Sequence, residues 1–143
     1  MTQTARTILV IDDDLMMGEL MAAIIDSADY QTLTAANGHE GLELAQSALP
    51  SAVFCDFSMP GMNGEDVVRS LRANSRTAHI PLILMSGHAS SDLRNLGVNA
   101  FLQKPFCPDE VLPLLNSVLE MLPARDVATA ATSARATFSV AHA

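Results

Sequence analysis

Apolar positions along this chain follow two different periods. Five short runs are continuously apolar or rich in β-branched residues: Thr7–Ile11, Gln31–Thr34, Ala52–Cys55, Leu82–Met85 and Ala100–Gln103. Ile8-Leu9-Val10-Ile11 and Leu82-Ile83-Leu84-Met85 carry no polar side chain, as in strands of a parallel sheet covered on both faces. Between the runs the period changes to that of a helix. Met17, Leu20, Met21, Ile24 and Ile25 recur at i, i+3, i+4, i+7 and i+8, which marks one inward helical face. A methionine-rich stripe of this kind reads as core filler.

A second helix is predicted from His39 to about Ala48, with Leu42, Ala45 and Leu49 inward and Asn37 as its cap. A third follows Gly64 and buries Val67, Val68 and Leu71. Ser91–Leu96 suggests a short, weakly apolar fourth. The last runs from Pro108 to about Leu122, burying Val111, Leu115, Val118, Leu119 and Leu122. Pro108 suits a first helical position, and Asp109 and Glu110 suit the positive end of the helix dipole. Pro113 lies too deep for such a helix, since an interior proline costs roughly 3 kcal/mol. Either a bend or a late helix start is expected there.

Strands alternating with helices over short links predict an open α/β sheet with right-handed crossovers. Sites in such sheets form beyond the carboxyl ends of the strands. Asp12, Asp56, Ser86 and Lys104 each fall just past a different predicted strand. Lys104 is the only lysine in the chain. Its compact charge on a flexible stem suits a phosphoryl oxygen beside a carboxylate.

Bulk properties narrow the classes. The 143 residues suffice for one domain with a real core, and 49% hydrophobic against 17% charged residues argues for a folded chain. A net charge of −8 opposes nucleic-acid binding. No apolar stretch is long enough to insert in a membrane, and residues 1–6 lack the apolar core of a signal peptide. Cys55 and Cys107 have no metal-site or disulfide spacing, so a reducing, cytoplasmic home is expected. From Pro123 small residues dominate. Residues 123–143 read as an Ala/Thr-rich mobile tail beyond a domain of residues 6–122, with a docked or helical extension as the alternative.

Gathering Asp12, Asp13 and Asp56 crowds negative charge, about 4 kcal/mol for a pair at 4 Å and an effective dielectric of 20. Such a site calls for protonation or a divalent cation, and hard oxygen donors with room for water favour Mg2+. The ion could bridge Asp56 to a phosphoryl oxygen while the carboxylate attacks phosphorus. Lys104 and the Ser86 hydroxyl could meet two further oxygens, and Gly87 leaves space for a tetrahedral group. Asp14 reads instead as a helix cap.

Together these residues resemble the receiver domain of bacterial two-component response regulators. The resemblance rests on Asp12-Asp13, on Asp56 within Asp-Phe-Ser-Met-Pro-Gly-Met-Asn-Gly64, on Ser86-Gly87, on Phe101 and on Lys104-Pro105-Phe106. It implies a flavodoxin-like, doubly wound parallel sheet of strand order 2-1-3-4-5 with five flanking helices. It also implies that Asp56 accepts a phosphoryl group from a sensor histidine kinase or histidine phosphotransfer protein. Asp13, Asp56 and the Ser58 backbone carbonyl would hold Mg2+ directly, and Asp12 through water. Ser86 and Phe101 would form a switch pair, Lys104-Pro105 a cis peptide, and Pro60, Gly61 and Gly64 the loop over the site. The output face would be the last helix, the last strand and the helix before it, docking a downstream protein or serving phosphoryl relay. Ser58 and His88 stand at positions that vary in the family and bear on water access, and Cys107 replaces a common capping Asp.

Three other readings compete. A haloacid-dehalogenase-type phosphatase would use Asp12-Asp13-Asp14 as its motif, but Met16 departs from the usual Thr or Val and no later acidic pair ends a strand. A phosphorylation-independent adaptor would not need the intact Asp/Ser/Lys set. A receiver cut from a larger regulator or hybrid kinase fits the motifs equally, although Met1 and the tail favour a complete short protein.

Overall fold

The computed structural model describes residues 6–87 and 97–120. Its element order is β1 (Thr7–Ile11), α1 (Leu15–Asp26), β2 (Gln31–Ala35), α2 (Gly38–Ala48), β3 (Ala52–Asp56), α3 (Gly64–Ala73), β4 (Leu82–Ser86), β5 (Ala100–Gln103) and α4 (Val111–Glu120). A 3-10 turn, Pro108–Glu110, leads into α4. All five strands are parallel, in the order β2-β1-β3-β4-β5. The flavodoxin-like, doubly wound sheet implied by the resemblance is therefore present, flanked by four helices among the described residues. The fourth expected helix, Ser91–Leu96, and His88 lie outside them, as do Leu122 and residues 123–143.

The sheet separates two cores. On one face Ile8, Val10, Phe54, Ile83 and Met85 pack against Met21 and Ile25 of α1 and Val111, Leu115 and Val118 of α4. On the other, Leu9, Ile11, Val53, Cys55 and Leu84 pack against Ala45 of α2 and Val67, Val68 and Leu71 of α3. This two-sided burial explains why the central strands lack polar alternation.

The helix starts follow local chemistry. Asp14 caps α1, its carboxylate accepting from the Met16 and Met17 amides at 3.0 and 3.3 Å. Asn37 caps α2 by accepting from the Glu40 amide at 2.8 Å. Asn63 and Asp66 form a reciprocal capping box on α3. Pro113 is accommodated by a late start: α4 begins at Val111, so the proline nitrogen falls in the first turn, where amides have no helical partner anyway.

Two inward assignments are corrected. Leu20 is 42% exposed, because α1 turns Gly18, Met21 and Ile25 to the sheet and leaves Leu20 on its outer side. Leu49 is 45% exposed, because it ends α2 in the left-handed conformation, φ 49°, and its side chain leaves the inward stripe.

Candidate functional site

Strand register builds the rim. Ile11 pairs with Cys55, Asp56 with Met85, and Ser86 with Gln103. Asp12 and Asp56 thus emerge side by side from the central strands, and Lys104 follows at the end of β5. The Lys104 amide donates to the Ser86 carbonyl at 2.8 Å, and the Asp12 amide to the Ala35 carbonyl at 3.0 Å. The Lys104–Pro105 peptide is cis.

The side chains converge. Lys104 Nζ donates to Asp56 Oδ1 at 3.1 Å and to Asp12 Oδ2 at 3.3 Å. Ligand oxygens of Asp12, Asp13 and Asp56 all lie within 4.8 Å of one another. Asp12, Asp56 and Ser86 are buried, and Asp13 is exposed at the mouth. Asp12 and Asp56 therefore share one ammonium, with the Asp13 carboxylate beside them. Burial first, opposed by the bond from the Asp14 amide and reinforced by the charge of Asp56, raises the Asp12 pKa above its usual value despite Lys104. For Lys104 burial acts downward, but hydrogen bonding to Asp56 and the fields of both aspartates outweigh it and raise its pKa. The ammonium is a fixed charge at neutral pH, and an added cation would relieve what remains. A donor set made only of carboxylate oxygens, open at Asp13, fits Mg2+.

Glycines let the backbone close around Asp56. A Cβ at Gly64 would lie 2.7 Å from the Asp56 carbonyl oxygen and 2.7 Å from Phe57 Cα, so only glycine allows α3 to start against the end of β3. Gly64 N donates to the Phe57 carbonyl at 2.8 Å. Gly61 turns the loop at φ 81°. Exposed Ser58 and Pro60 complete the loop between β3 and α3. Among the described residues nothing lies within 4 Å of a Cβ placed at Gly87. Phe101, half-buried in β5 opposite Leu84, packs with the α2/α3 core.

Other residues have structural explanations. Cys55 is buried, and burial together with the charges of Asp56 and Asp12 pushes its thiol far upward, making it an inert core group. The Asp14 carboxylate is engaged as a cap. The Cys107 amide donates to Glu110 at 2.8 Å, so the turn before α4 is closed without an Asp at that position.

Two features escaped the sequence reading. Arg72 bonds the carbonyls of Gly97, Ala78 and Ile80 and Asn99 Oδ1, at 2.8 to 3.2 Å. No local pattern announces such a long-range clasp. Leu15 and Met16 are 69% and 78% exposed at the start of α1. Their phase, off the inward stripe, was the available signal.

A family model described as the response regulator receiver domain matches residues 8–136. Over 118 residues the chain is 34% identical to the nitrate/nitrite response regulator protein NarL of Escherichia coli, covering 80% of this chain and 55% of that protein. It is 28% identical over 118 residues to the phosphate regulon transcriptional regulatory protein PhoB of Pseudomonas aeruginosa, covering 80% and 52%. The chain spans about half the length of these curated relatives. Among solved structures, the chemotaxis protein CheY4 of Vibrio cholerae aligns with a TM-score of 0.77 at 28% identity, covering 80% of this chain and 99% of that one.

Proposed function

The chain belongs to the response regulator receiver domain family, a family of phosphoacceptor signalling domains, and from that premise we propose that Asp56 is its phosphoacceptor. The observation that carries this reading is the Lys104 ammonium bonded to both Asp56 and Asp12 at one rim. We assign the receiver unit to residues 6–122 and treat 123–143 as a separate segment.

In the proposed reaction an Asp56 carboxylate oxygen attacks the phosphorus of a phosphohistidine on a sensor kinase or phosphotransfer protein. A P–O bond forms as the P–N bond breaks, and the imidazole leaves with the electron pair. Asp12, Asp13, Asp56 and the Ser58 carbonyl would hold Mg2+, which would supply positive charge opposite the developing phosphoryl charge. Lys104 holds the Asp56 carboxylate in place and offers its ammonium to a phosphoryl oxygen. The Ser86 hydroxyl is a donor to another, and Gly87 leaves room. Movement of Ser86 toward the phosphoryl group, with Phe101 turning inward behind it, would change the surface of β5 and α4. That surface would bind a downstream protein or support onward relay. The chemistry is confined to self-phosphorylation and self-dephosphorylation. Free thiols at Cys55 and Cys107 accord with a reducing compartment, and no helix among the described residues is long and apolar enough to cross a membrane.

The phosphatase reading loses support because Asp14 is engaged in capping α1. The decisive test is incubation with Mg2+ and a small acyl phosphate, followed by intact mass. One phosphoryl group should appear on the native chain and none on Asp56→Asn. An unmodified native chain would refute the proposal. Phosphorylation of the variant would refute the assignment to Asp56.

A further inference from the structure

Asp12 is held at both carboxylate oxygens. Its Oδ2 accepts from Lys104 Nζ at 3.3 Å, and its Oδ1 accepts from the Asp14 amide at 2.9 Å. The two anchors differ in kind. Lys104 reaches Asp12 on a flexible stem and is shared with Asp56 at 3.1 Å. On the phosphoacceptor reading it also turns to a phosphoryl oxygen, so its hold on Asp12 loosens as the reaction proceeds. The Asp14 amide is backbone, and nothing in that reaction calls it away.

What fixes that amide is the start of α1. Asp14 stands just outside the helix in extended conformation, φ −87° and ψ 106°. Its carboxylate accepts from the Met16 and Met17 amides at 3.0 and 3.3 Å, and its carbonyl accepts from the Gly18 amide at 3.0 Å. Side chain and backbone of residue 14 are therefore both tied to the first turn. The helix in turn is seated by Met21 and Ile25, which are wholly buried against the sheet. A residue pinned in this way presents its N–H in one direction, and the acceptor lying there is the Asp12 carboxylate. Without the side-chain acceptor the helix start would fray, and the amide would lose its aim.

We propose that Asp14 is a positioning residue: by capping α1 it aims its own amide at Asp12 and so holds that carboxylate in the orientation that serves the shared cation site. This role rests on the Mg2+ reading of Asp12, Asp13 and Asp56. It belongs to the Asp14 side chain as an acceptor and not as a charge, although that side chain is exposed beside the site. Asn and Ser also accept at a cap position and carry no charge. Ala cannot accept, and Gly is tolerated at a cap without accepting.

The test compares Asp14→Asn, Asp14→Ser, Asp14→Ala and Asp14→Gly with wild type in the full chain. Titration calorimetry reads the Mg2+ Kd, and amide hydrogen exchange in chelator reads the protection of residue 14. In Asp14→Ala the Kd should rise about threefold or more and the protection should fall about tenfold. Asp14→Asn and Asp14→Ser should keep both within about twofold of wild type. Asp14→Gly should match Asp14→Ala, and it takes the place of that variant if the alanine chain does not fold. A Kd unchanged by Ala and Gly overturns the proposal and leaves Asp14 a helix cap alone. A Kd as weak in Asp14→Asn as in Asp14→Ala overturns it in favour of simple charge attraction. A wild type that binds no Mg2+ refutes the metal reading instead. Protection lost in Asp14→Ala and kept in Asp14→Asn then still supports the aimed amide, and equal protection in every chain overturns it.

Discussion

Replacing Asp12 by Asn should make the metal-free protein more stable, because the site holds more negative charge than its ammonium can balance. At an effective dielectric of about 20, the Lys104 contact at 3.3 Å is worth roughly 5 kcal/mol to Asp12, and repulsion from Asp56 at no more than 4.8 Å removes at least about 3.5. Desolvation of a carboxylate only 3% exposed costs several kcal/mol more, partly offset by about 2 kcal/mol from the Asp14 amide bond. The balance agrees in sign with the raised pKa of Asp12. Asn can keep the Asp14 bond through its oxygen and turn an amide donor toward Asp56, so a gain of about 1 kcal/mol is expected at neutral pH.

The sign with pH is fixed. A carboxyl whose folded pKa lies above its unfolded value holds its proton more tightly when folded. The wild-type penalty is therefore absent below the unfolded value of about 3.8, and it grows as pH rises through the folded pKa. Urea denaturation in chelator at a series of pH values should show the variant's advantage vanishing in acid. Mg2+ should narrow the gap, since at tenfold excess over its Kd it stabilises the wild type by about 1.4 kcal/mol and the variant by less. A variant less stable than wild type in chelator at neutral pH would refute the crowded-charge argument. A gap independent of pH would show that packing, not charge, is responsible.

Lys104→Met should destabilise the metal-free protein by about 2 kcal/mol at neutral pH by stranding Asp12 and Asp56. Because the lysine pKa is raised in the folded state, that difference should be full below about pH 10.5 and fade as pH climbs through the folded value, as alkaline urea melts can check. Gly64→Ala should cost about 2 kcal/mol or more because its Cβ meets backbone at 2.7 Å, whereas Gly87→Ala, with no described atom within 4 Å of its Cβ, should stay within about 0.5 kcal/mol; paired chemical melts compare them. Arg72→Met should cost about 3 kcal/mol in the same assay, since three backbone carbonyls and Asn99 lose a charged donor together.

Much of the fold was legible because each element carried its own signal. Continuously apolar Ile8–Ile11 and Leu82–Met85 announced two-sided burial, and Asn37 and Asp14 announced helix starts. The site was legible because Asp12, Asp56 and Lys104 each sit one step past a strand, where parallel register must bring them together. What escaped was decided at longer range. Leu20 fits the helical period, yet the sheet meets α1 through Gly18, Met21 and Ile25. The dilemma at Pro113 was resolved by the 3-10 turn ahead of it. The Arg72 partners lie 6 to 27 residues away, and no window of sequence links them.

That arginine has a mechanical consequence. β5 is an edge strand of four residues, held by β4 alone, and such strands are where sheets ordinarily begin to peel. Arg72 staples its entrance to α3 through Gly97 and Asn99, and the Asn99 side chain also accepts from the Leu82 amide at the entrance of β4. At the opposite terminus the holding falls to Lys104, through its amide bond to Ser86 and its ammonium bonds to Asp12 and Asp56, so any change at those carboxylates bears first on that end of the edge strand.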